Sequence, residues 1–527
     1  MTGLVHDHVI VGAGSAGCVL AARLTEDPDT NVLVLEAGPD YRADEAPAAV
    51  TSISPMTLLT SSDTGAYRWD DLDSARTAAQ EPINLLRGRG TGGSSAVNGM
   101  LAVRPEADDL DAWAAAGCEG WGWDEMLPWF NAIERDIDFG DRPHHGDSGP
   151  FPVWRPPVDG WGDIEVAVKD ALLDLGYPWC EDHNAPGSTG VGPYAANVEN
   201  GRRVSASTAY LEAARDRPNL TVWGDCTVDR VVVTDGSAEG VLFRRDGEEQ
   251  FVECRSVILA AGSPFSPAIM LRSGIGPAGD LASMGIDVVR DLPGVGQRIG
   301  DHPSFNIMIS SEPGAMATAS NGRHINCFAR YTSGLAGGGV NDMAMLSGAN
   351  PELTPSGKNR STIVVALWQP FSSGELRLTS TDPHTMPAVD ELMLSDPRDL
   401  VRLRDGFRRL CDVLQHPLVA ALPGRRRYGA AGHPVDDVEE LIALDDDAVD
   451  ELLVAHAYDT QHIVGGCRMG DPSTDATAVV DPHCRVPGID GLRVIDGSVF
   501  PTCPRANTHF TVLALAERMA HRLRNSA

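Results

Sequence analysis

No stretch of the 527-residue chain approaches the about 18 consecutive apolar residues that a membrane-spanning helix needs. Basic residues are also scarce, 42 Lys and Arg against 74 Asp and Glu, and the net charge of −32 repels phosphate backbones and anionic lipid headgroups. Nucleic acid and membrane-surface partners are therefore not expected. The ten cysteines contain no C-x-x-C pair and no compact framework, so they read as reduced thiols of a cytoplasmic protein. The opening MTGLVHDHVIVGAG has no basic n-region or cleavage site, and no leader is expected from it. With 42% hydrophobic and 22% charged residues the composition is that of an ordinary soluble globular protein, which excludes disordered, collagen-like and coiled-coil chains. The length suggests three or four units at roughly 150 residues each, and no internal repeat is present.

The N-terminal segment is the most informative. A short β-rich run, His8 to Val11, is followed by Gly12-Ala13-Gly14-Ser15-Ala16-Gly17, a helical spacing through Leu24, and a second strand from Asn31 to Leu35 that ends in Glu36. A glycine turn between strand and helix lets the backbone approach a pyrophosphate and places that charge at the positive helix end. Glu36, nineteen residues after Gly17, stands where an acid accepts hydrogen bonds from adenosine ribose hydroxyls. This order predicts a dinucleotide site.

Further along, Arg87 to Ser95 is too rich in glycine and hydroxyls for either ladder and reads as a loop, and Trp121 to Arg135 reads as an amphipathic helix. Leu220 to Trp223, Val228 to Val233, Gly240 to Arg244 and Gln250 to Cys254 read as antiparallel strands, and Ser256 to Gly262 as a buried strand ending in a glycine turn. From about 304 to 453 the patterning weakens, apart from a charged helical segment near 396–416. The expected architecture is α/β: a Rossmann-like cofactor domain assembled from separated segments (1–155, 212–303 and 456–527), with an inserted antiparallel-sheet substrate domain (156–211 and 304–455).

Several motifs together resemble the glucose-methanol-choline (GMC) oxidoreductases, FAD enzymes acting mostly on alcohols. They are Gly88-Arg89 with Gly92-Gly93-Ser94-Ser95-Ala96-Val97-Asn98, the stretch from Gly262 to Gly276, and Gly294 to Gly296 with Asp301-His302-Pro303. Thr91 departs from the aliphatic residue usual in that family. The resemblance implies a flavin site on Gly12, Gly14, Ser15, Ala16, Gly17, Glu36, Ala37, Arg89, Gly92, Gly93, Ser94, Asn98, Gly99, Val228, Ala261, Gly262, Asp496, Gly497, Asn507 and Thr508. Val97 stands where some relatives carry the histidine that links FAD covalently, so FAD is expected to be bound non-covalently.

Oxidising an alcohol requires a base for the hydroxyl proton while the α-hydrogen leaves as hydride, and histidine suits that task. His462, in Gln461-His-Ile-Val-Gly-Gly-Cys-Arg-Met-Gly470, matches the family's catalytic segment, and Asn507, 45 residues later, stands where relatives have His or Asn. No metal is expected, since His456, His462, Cys467 and Cys484 match no common ligand spacing. His509 is a further histidine near Asn507, and Phe305, Trp368 and Phe371 are candidate pocket walls.

Within the family, Asp111 to Trp113, His145 to Pro150 and Leu394 to Asp399 are similar to blocks of bacterial alcohol oxidases, with hydroxymethylfurfural and aryl-alcohol oxidases the nearest in pattern. The resemblance implies oxidation of a primary aromatic or furanic alcohol to the aldehyde, with onward oxidation to the acid as an extension. Oxygen, a quinone or another electron carrier would serve as acceptor. Gly465-Gly466-Cys467 is also similar to plant hydroxynitrile lyases, which keep FAD without redox turnover. A lyase, and an oxidoreductase of sugar or aliphatic alcohols, are the alternatives.

Overall fold

The computed structural model describes residues 6–54, 64–350, 359–429 and 432–525. Residues 1–5 of the opening segment lie outside them. A five-stranded parallel sheet runs in the order Leu220–Trp223, Val32–Leu35, His8–Val11, Val257–Leu259, Leu492–Val494. Apart from His8, the middle three are continuous buried apolar runs, as a sheet covered on both faces requires. Helices Ser15–Leu24 and Thr508–Asn525 pack against each other beside it. Leu220–Trp223 corrects the expectation of an antiparallel strand: it pairs in parallel with Val32–Leu35, and Val32 N–H donates to Asn219 O at 2.9 Å. Four residues of alternating type do not disclose which neighbour they will meet.

The other three expected strands form a meander of Thr227–Thr234, Ser237–Arg245 and Glu248–Glu253. Its two turns are Asp235-Gly236 and Asp246-Gly247, all four residues at positive φ, the primed geometry that matches strand twist. The expected helix from Trp121 is shorter, Trp123–Ile133, and Glu134–Asp136 pairs instead with Phe151–Val153.

A second, eight-stranded sheet carries most of the region from 304 to 453. Its order is His433–Val435, Arg425–Tyr428, Pro303–Ser311, Asn359–Leu367, Met343–Asn350, Ile325–Tyr331, Gly190–Pro193, with Tyr458–Asp459 added beside Pro303–Ser311. Side chains alternate between its faces. Phe305, Ile307, Ile309, Ile363, Val365, Met343 and Met345 enter one core with helices Asp163–Asp174 and Pro397–Gln415. Ser304, Asn306, Thr362, Val364 and Leu346 point the other way, into the cavity described next.

Candidate active site

A cavity of about 550 Å³ is lined by residues at the carboxyl ends of His8–Val11, Val32–Leu35 and Val257–Leu259 and by the open face of the eight-stranded sheet. The carboxyl edge of a parallel sheet is where α/β folds take their ligands. Helix Ser15–Leu24 begins here with Gly14 as its N-cap, and no side chain caps it, so its first amides are available to an anion. Gly12 holds φ at +100°, and a Cβ on Gly17 would sit 1.9 Å from the Gly12 carbonyl oxygen. Both positions need glycine for the turn to close.

Glu36 is 6% exposed and is held from three sides. Its Oε2 accepts the Ala13 N–H at 2.8 Å, and Oε1 accepts those of Gly38 and Gly90, each at 2.9 Å. Asp496 Oδ2 accepts the Gly262 N–H at 2.9 Å and the Ser266 hydroxyl, while Oδ1 accepts the Ser498 N–H at 2.8 Å. An uncapped helix end, a glycine turn and a fixed carboxylate in one cavity fit the adenosine and pyrophosphate of a dinucleotide. Val97 lines the same cavity and offers no atom for a covalent link.

Of the residues expected at this site, Gly12, Gly14, Ser15, Ala16, Glu36, Ala37, Gly93, Ser94, Asn98, Gly99, Val228, Ala261, Gly262, Asp496, Gly497, Asn507 and Thr508 line the cavity. Gly17, Arg89 and Gly92 stand behind its wall. The Arg89 guanidinium donates to Ala37 O at 3.0 Å and lies 5.2 Å from the Trp69 ring centroid. Gly92 donates its N–H to Ala13 O at 2.8 Å, tying the two glycine loops together. Thr91, the departure noted above, is buried and donates to Asp40 at 2.6 Å.

His462 and Asn507 meet in the same cavity, with Nε2 of the imidazole 2.9 Å from the Asn507 amide nitrogen. The neighbours fix which atoms carry protons. Asn507 Oδ1 accepts the Tyr194 hydroxyl at 2.7 Å, so its Nδ2 donates and His462 Nε2 accepts. On the other side His462 Nδ1 lies 2.9 Å from His302 Nδ1, and His302 Nε2 lies 2.9 Å from the Pro504 carbonyl. A carbonyl only accepts, so His302 carries its proton on Nε2 and presents a lone pair at Nδ1. His462 must then carry its own proton on Nδ1. The result is a neutral imidazole with its lone pair aimed at the cavity, the tautomer a general base needs.

Burial keeps both rings neutral. It lowers His302 to about 4, and it pulls His462 well below the ordinary imidazole range, with His302 and Arg87 adding to the effect. The backbone before the base is constrained as well. Gln461 sits at φ +65°, a left-handed conformation unusual for a side-chain-bearing residue, and its amide bridges Asp459 and Arg87.

Tyr194, His302 and Thr460 escaped the sequence reading as site residues. His302 lies in a motif quoted there without a role, while Tyr194 reaches Asn507 across 313 positions of chain. His509 does line the cavity, with both ring nitrogens unpartnered and burial lowering it to about 3. Trp368 lines it too, stacked on His302 with centroids 5.1 Å apart. Phe305 faces the opposite core, and Phe371 lies under Arg398 and Arg402 rather than in the cavity. His456 packs on Tyr428 and His433, and the Cys467 thiol lies against Met270.

The GMC oxidoreductase family model matches residues 6–304 and 370–516. A 5-(hydroxymethyl)furfural oxidase from Methylovorus sp. (strain MP688) is 37% identical, with 99% of both chains covered. Oxygen-dependent choline dehydrogenase 1 from Chromohalobacter salexigens is 34% identical over 98% of this chain and 95% of its own. Among solved structures, pyridoxine 4-oxidase from Mesorbium loti superposes with a TM-score of 0.85 at 29% identity, covering 99% of each chain.

Proposed function

The chain belongs to the GMC oxidoreductase family and is an FAD-dependent oxidoreductase acting on alcohols, and from that premise we propose that its substrate is a neutral, flat primary alcohol of the aromatic or furanic kind. The observation that carries the proposal is the sheet face opposite the base. Ser304, Asn306, Leu346, Thr362, Val364 and Trp368 offer an indole, aliphatic surface, two hydroxyls and an amide, and no charge. A planar ring with one polar substituent matches that surface. A quaternary ammonium would want a negative or aromatic-caged pocket.

His462 Nε2 takes the hydroxyl proton. Asn507 Nδ2 donates to the substrate oxygen and keeps it within reach of that lone pair, because Tyr194 holds the amide from turning over. Bound FAD supplies the acceptor for the α-hydrogen and its two electrons. No side chain able to form a covalent link stands at position 97, so on this reading FAD is held by non-covalent contacts, the glycine loops, Glu36 and the helix end among them. The aldehyde, once hydrated, presents the same hydroxyl to the same base, and oxidation to the acid is the extension of this reading.

Anaerobic mixing of the holoenzyme with benzylic, furanic, aliphatic and sugar alcohols and with choline tests the proposal through the flavin absorbance. Bleaching by the benzylic and furanic alcohols at rates well above the rest is expected. Faster bleaching by choline or a sugar would overturn it, and admitting air then shows whether oxygen serves as acceptor.

A further inference from the structure

A base half-buried in the cavity wall, as His462 is, is a poor resting place for a proton, yet its far nitrogen leads somewhere. His462 Nδ1 lies 2.7 Å from Thr460 Oγ1, and the Thr460 hydroxyl donates to Asp301 Oδ1 at 3.2 Å. Asp301 is 3% exposed; Oδ1 also accepts the His302 N–H at 2.6 Å, and Oδ2 has no hydrogen-bond partner. One oxygen each of Asp301, Glu391 and Asp459 lie within 4.8 Å of one another. Glu391 Oε2 is unpartnered as well, while its Oε1 accepts the Ser74 hydroxyl at 2.5 Å.

Two guanidinium groups face these three carboxyl groups. Arg76, fully enclosed, lies 2.6 Å from Asp459 and 4.0 Å from Glu391, and Arg87 acts electrostatically on all three. Three carboxylates against two cations leave a surplus negative charge in a dry interior, where like charges cannot all ionise. Burial first and the charges of Asp459 and Asp301 second hold Glu391 well above the usual carboxylate range, so Glu391 carries the resting proton, and Asp301 and Asp459 stand ionised against the two guanidinium groups. The remaining titratable neighbours add no charge: His302 and His462 are neutral, and burial pushes up the Tyr458 hydroxyl and the Cys503 thiol. Burial first and Asp459 second raise Asp301 to about 7, which Arg87 opposes.

We propose that Asp301 receives the substrate's hydroxyl proton, passed from His462 Nδ1 through the Thr460 hydroxyl, so that the carboxyl cluster beneath the base stores it. The proposal rests on His462 being the base. The alcohol O–H bond breaks as Nε2–H forms. The Nδ1–H bond then breaks as a new bond to Thr460 Oγ1 forms, and the proton Thr460 held before passes to Asp301. His462 and Thr460 end neutral, His462 with its proton moved from Nδ1 to Nε2, and Asp301 ends as the neutral acid. The new Thr460 hydroxyl hydrogen points back between the two bare Nδ1 atoms, with Oγ1 2.7 Å from that of His462 and 3.5 Å from that of His302. No electrons travel this path, since both leave with the α-hydrogen. When the acceptor half-reaction consumes a proton, the path run backwards restores Nδ1–H.

Four holoenzymes test it: wild type, Asp301→Asn, Thr460→Val and His462→Ala, each checked for bound FAD and thermal melting. The first readout is the infrared difference between resting and alcohol-reduced anaerobic protein. Wild type should gain a buried protonated-carboxyl band that shifts in D2O, and Asp301→Asn and Thr460→Val should lack it. The second is a proton count with an indicator dye: wild type should retain the substrate proton, and Thr460→Val should release it. Flavin reduction in Thr460→Val should slow by about tenfold, the scale of one hydrogen bond, and the rise of rate with pH through Asp301's titration should vanish in Asp301→Asn. An unchanged band and proton count in Thr460→Val, or no band in wild type, would overturn the relay. Should Asp301→Asn fail to fold, Thr460→Val carries the test alone. A His462→Ala protein reduced as fast as wild type would refute the base itself, a failure distinct from that of the relay.

Discussion

Replacing Asn507 with Asp leaves the shape of the site almost unchanged and inverts its electrostatics. The amide nitrogen 2.9 Å from His462 Nε2 becomes a carboxylate oxygen, so the base faces an acceptor instead of a donor. With charge centres roughly 4 Å apart and an effective dielectric of about 20, the attraction for an imidazolium is about 4 kcal/mol, equivalent to about three pKa units. That attraction works against the burial that keeps His462 neutral. Nε2 then faces an oxygen with no N–H to offer, the imidazolium is favoured, and the share of rings with a free lone pair for substrate falls. Loss of a general base costs about 10²- to 10⁴-fold, and a drop of that size is expected in the anaerobic rate of flavin reduction at pH 7, at saturating alcohol and with FAD retained. The rate should recover as pH rises and the imidazolium is titrated, a limb that differs from the wild-type rise through Asp301 in persisting when Asp301→Asn is added. Reduction within threefold of wild type at pH 7 would show that Nε2 is not the proton acceptor.

Three further perturbations follow from the same geometry. His462→Ala should slow flavin reduction by about 10²- to 10⁴-fold while FAD stays bound; loss of the flavin absorbance instead would mark the residue as structural. Gly17→Ala places a Cβ where the Gly12 carbonyl oxygen already lies and should yield protein of lowered melting temperature and lowered flavin content, read from the ratio of flavin to protein absorbance. His145 is an enclosed imidazole between Glu134 at 2.7 Å and Asp182 at 2.9 Å, raised to about 9 by those carboxylates against the opposing pull of burial. Its folded pKa lies above its unfolded one, so its stabilisation is complete below about pH 6.5 and is lost as pH climbs through 9. Melting temperature should fall over that interval in wild type. His145→Gln should start lower, by about 3 kcal/mol or more for a broken buried pair, and lack that fall; a wild-type slope in the variant would refute the assignment.

The dinucleotide half of the site was legible because its parts are contiguous. A strand, a glycine turn, a helix, a strand and Glu36 occupy under forty residues, and each glycine answers a local steric demand. His462 and Asn507 were legible through their motifs. The atoms that make His462 a base were not, because His302 approaches it from 160 positions away and Tyr194 reaches Asn507 from farther still, while Thr460, two residues before the base, is a lone hydroxyl that only the fold turns toward Nδ1. The substrate wall was hidden for another reason. In Pro303–Ser311 the inward set Phe305, Ile307 and Ile309 is plainly apolar, but the cavity-facing set mixes Ser304 and Asn306, and only the register with Asn359–Leu367 shows that Thr362 and Val364 share their face.

That two-faced sheet separates what holds the protein together from what it accepts. Alternate residues of Pro303–Ser311, Met343–Asn350 and Asn359–Leu367 belong to different environments, so exchanging side chains at 306, 346, 362 and 364 leaves the packed face at 305, 307, 345, 363 and 365 intact, whereas Ser304 is buried and donates to Tyr458 O at 2.8 Å. The fold thereby carries a small combinatorial alphabet on a fixed support. A library confined to positions 306, 346, 362 and 364 would explore new alcohols while drawing little on stability, and a lineage diverging under selection has the same freedom, because each letter can change without rewriting the word beneath it.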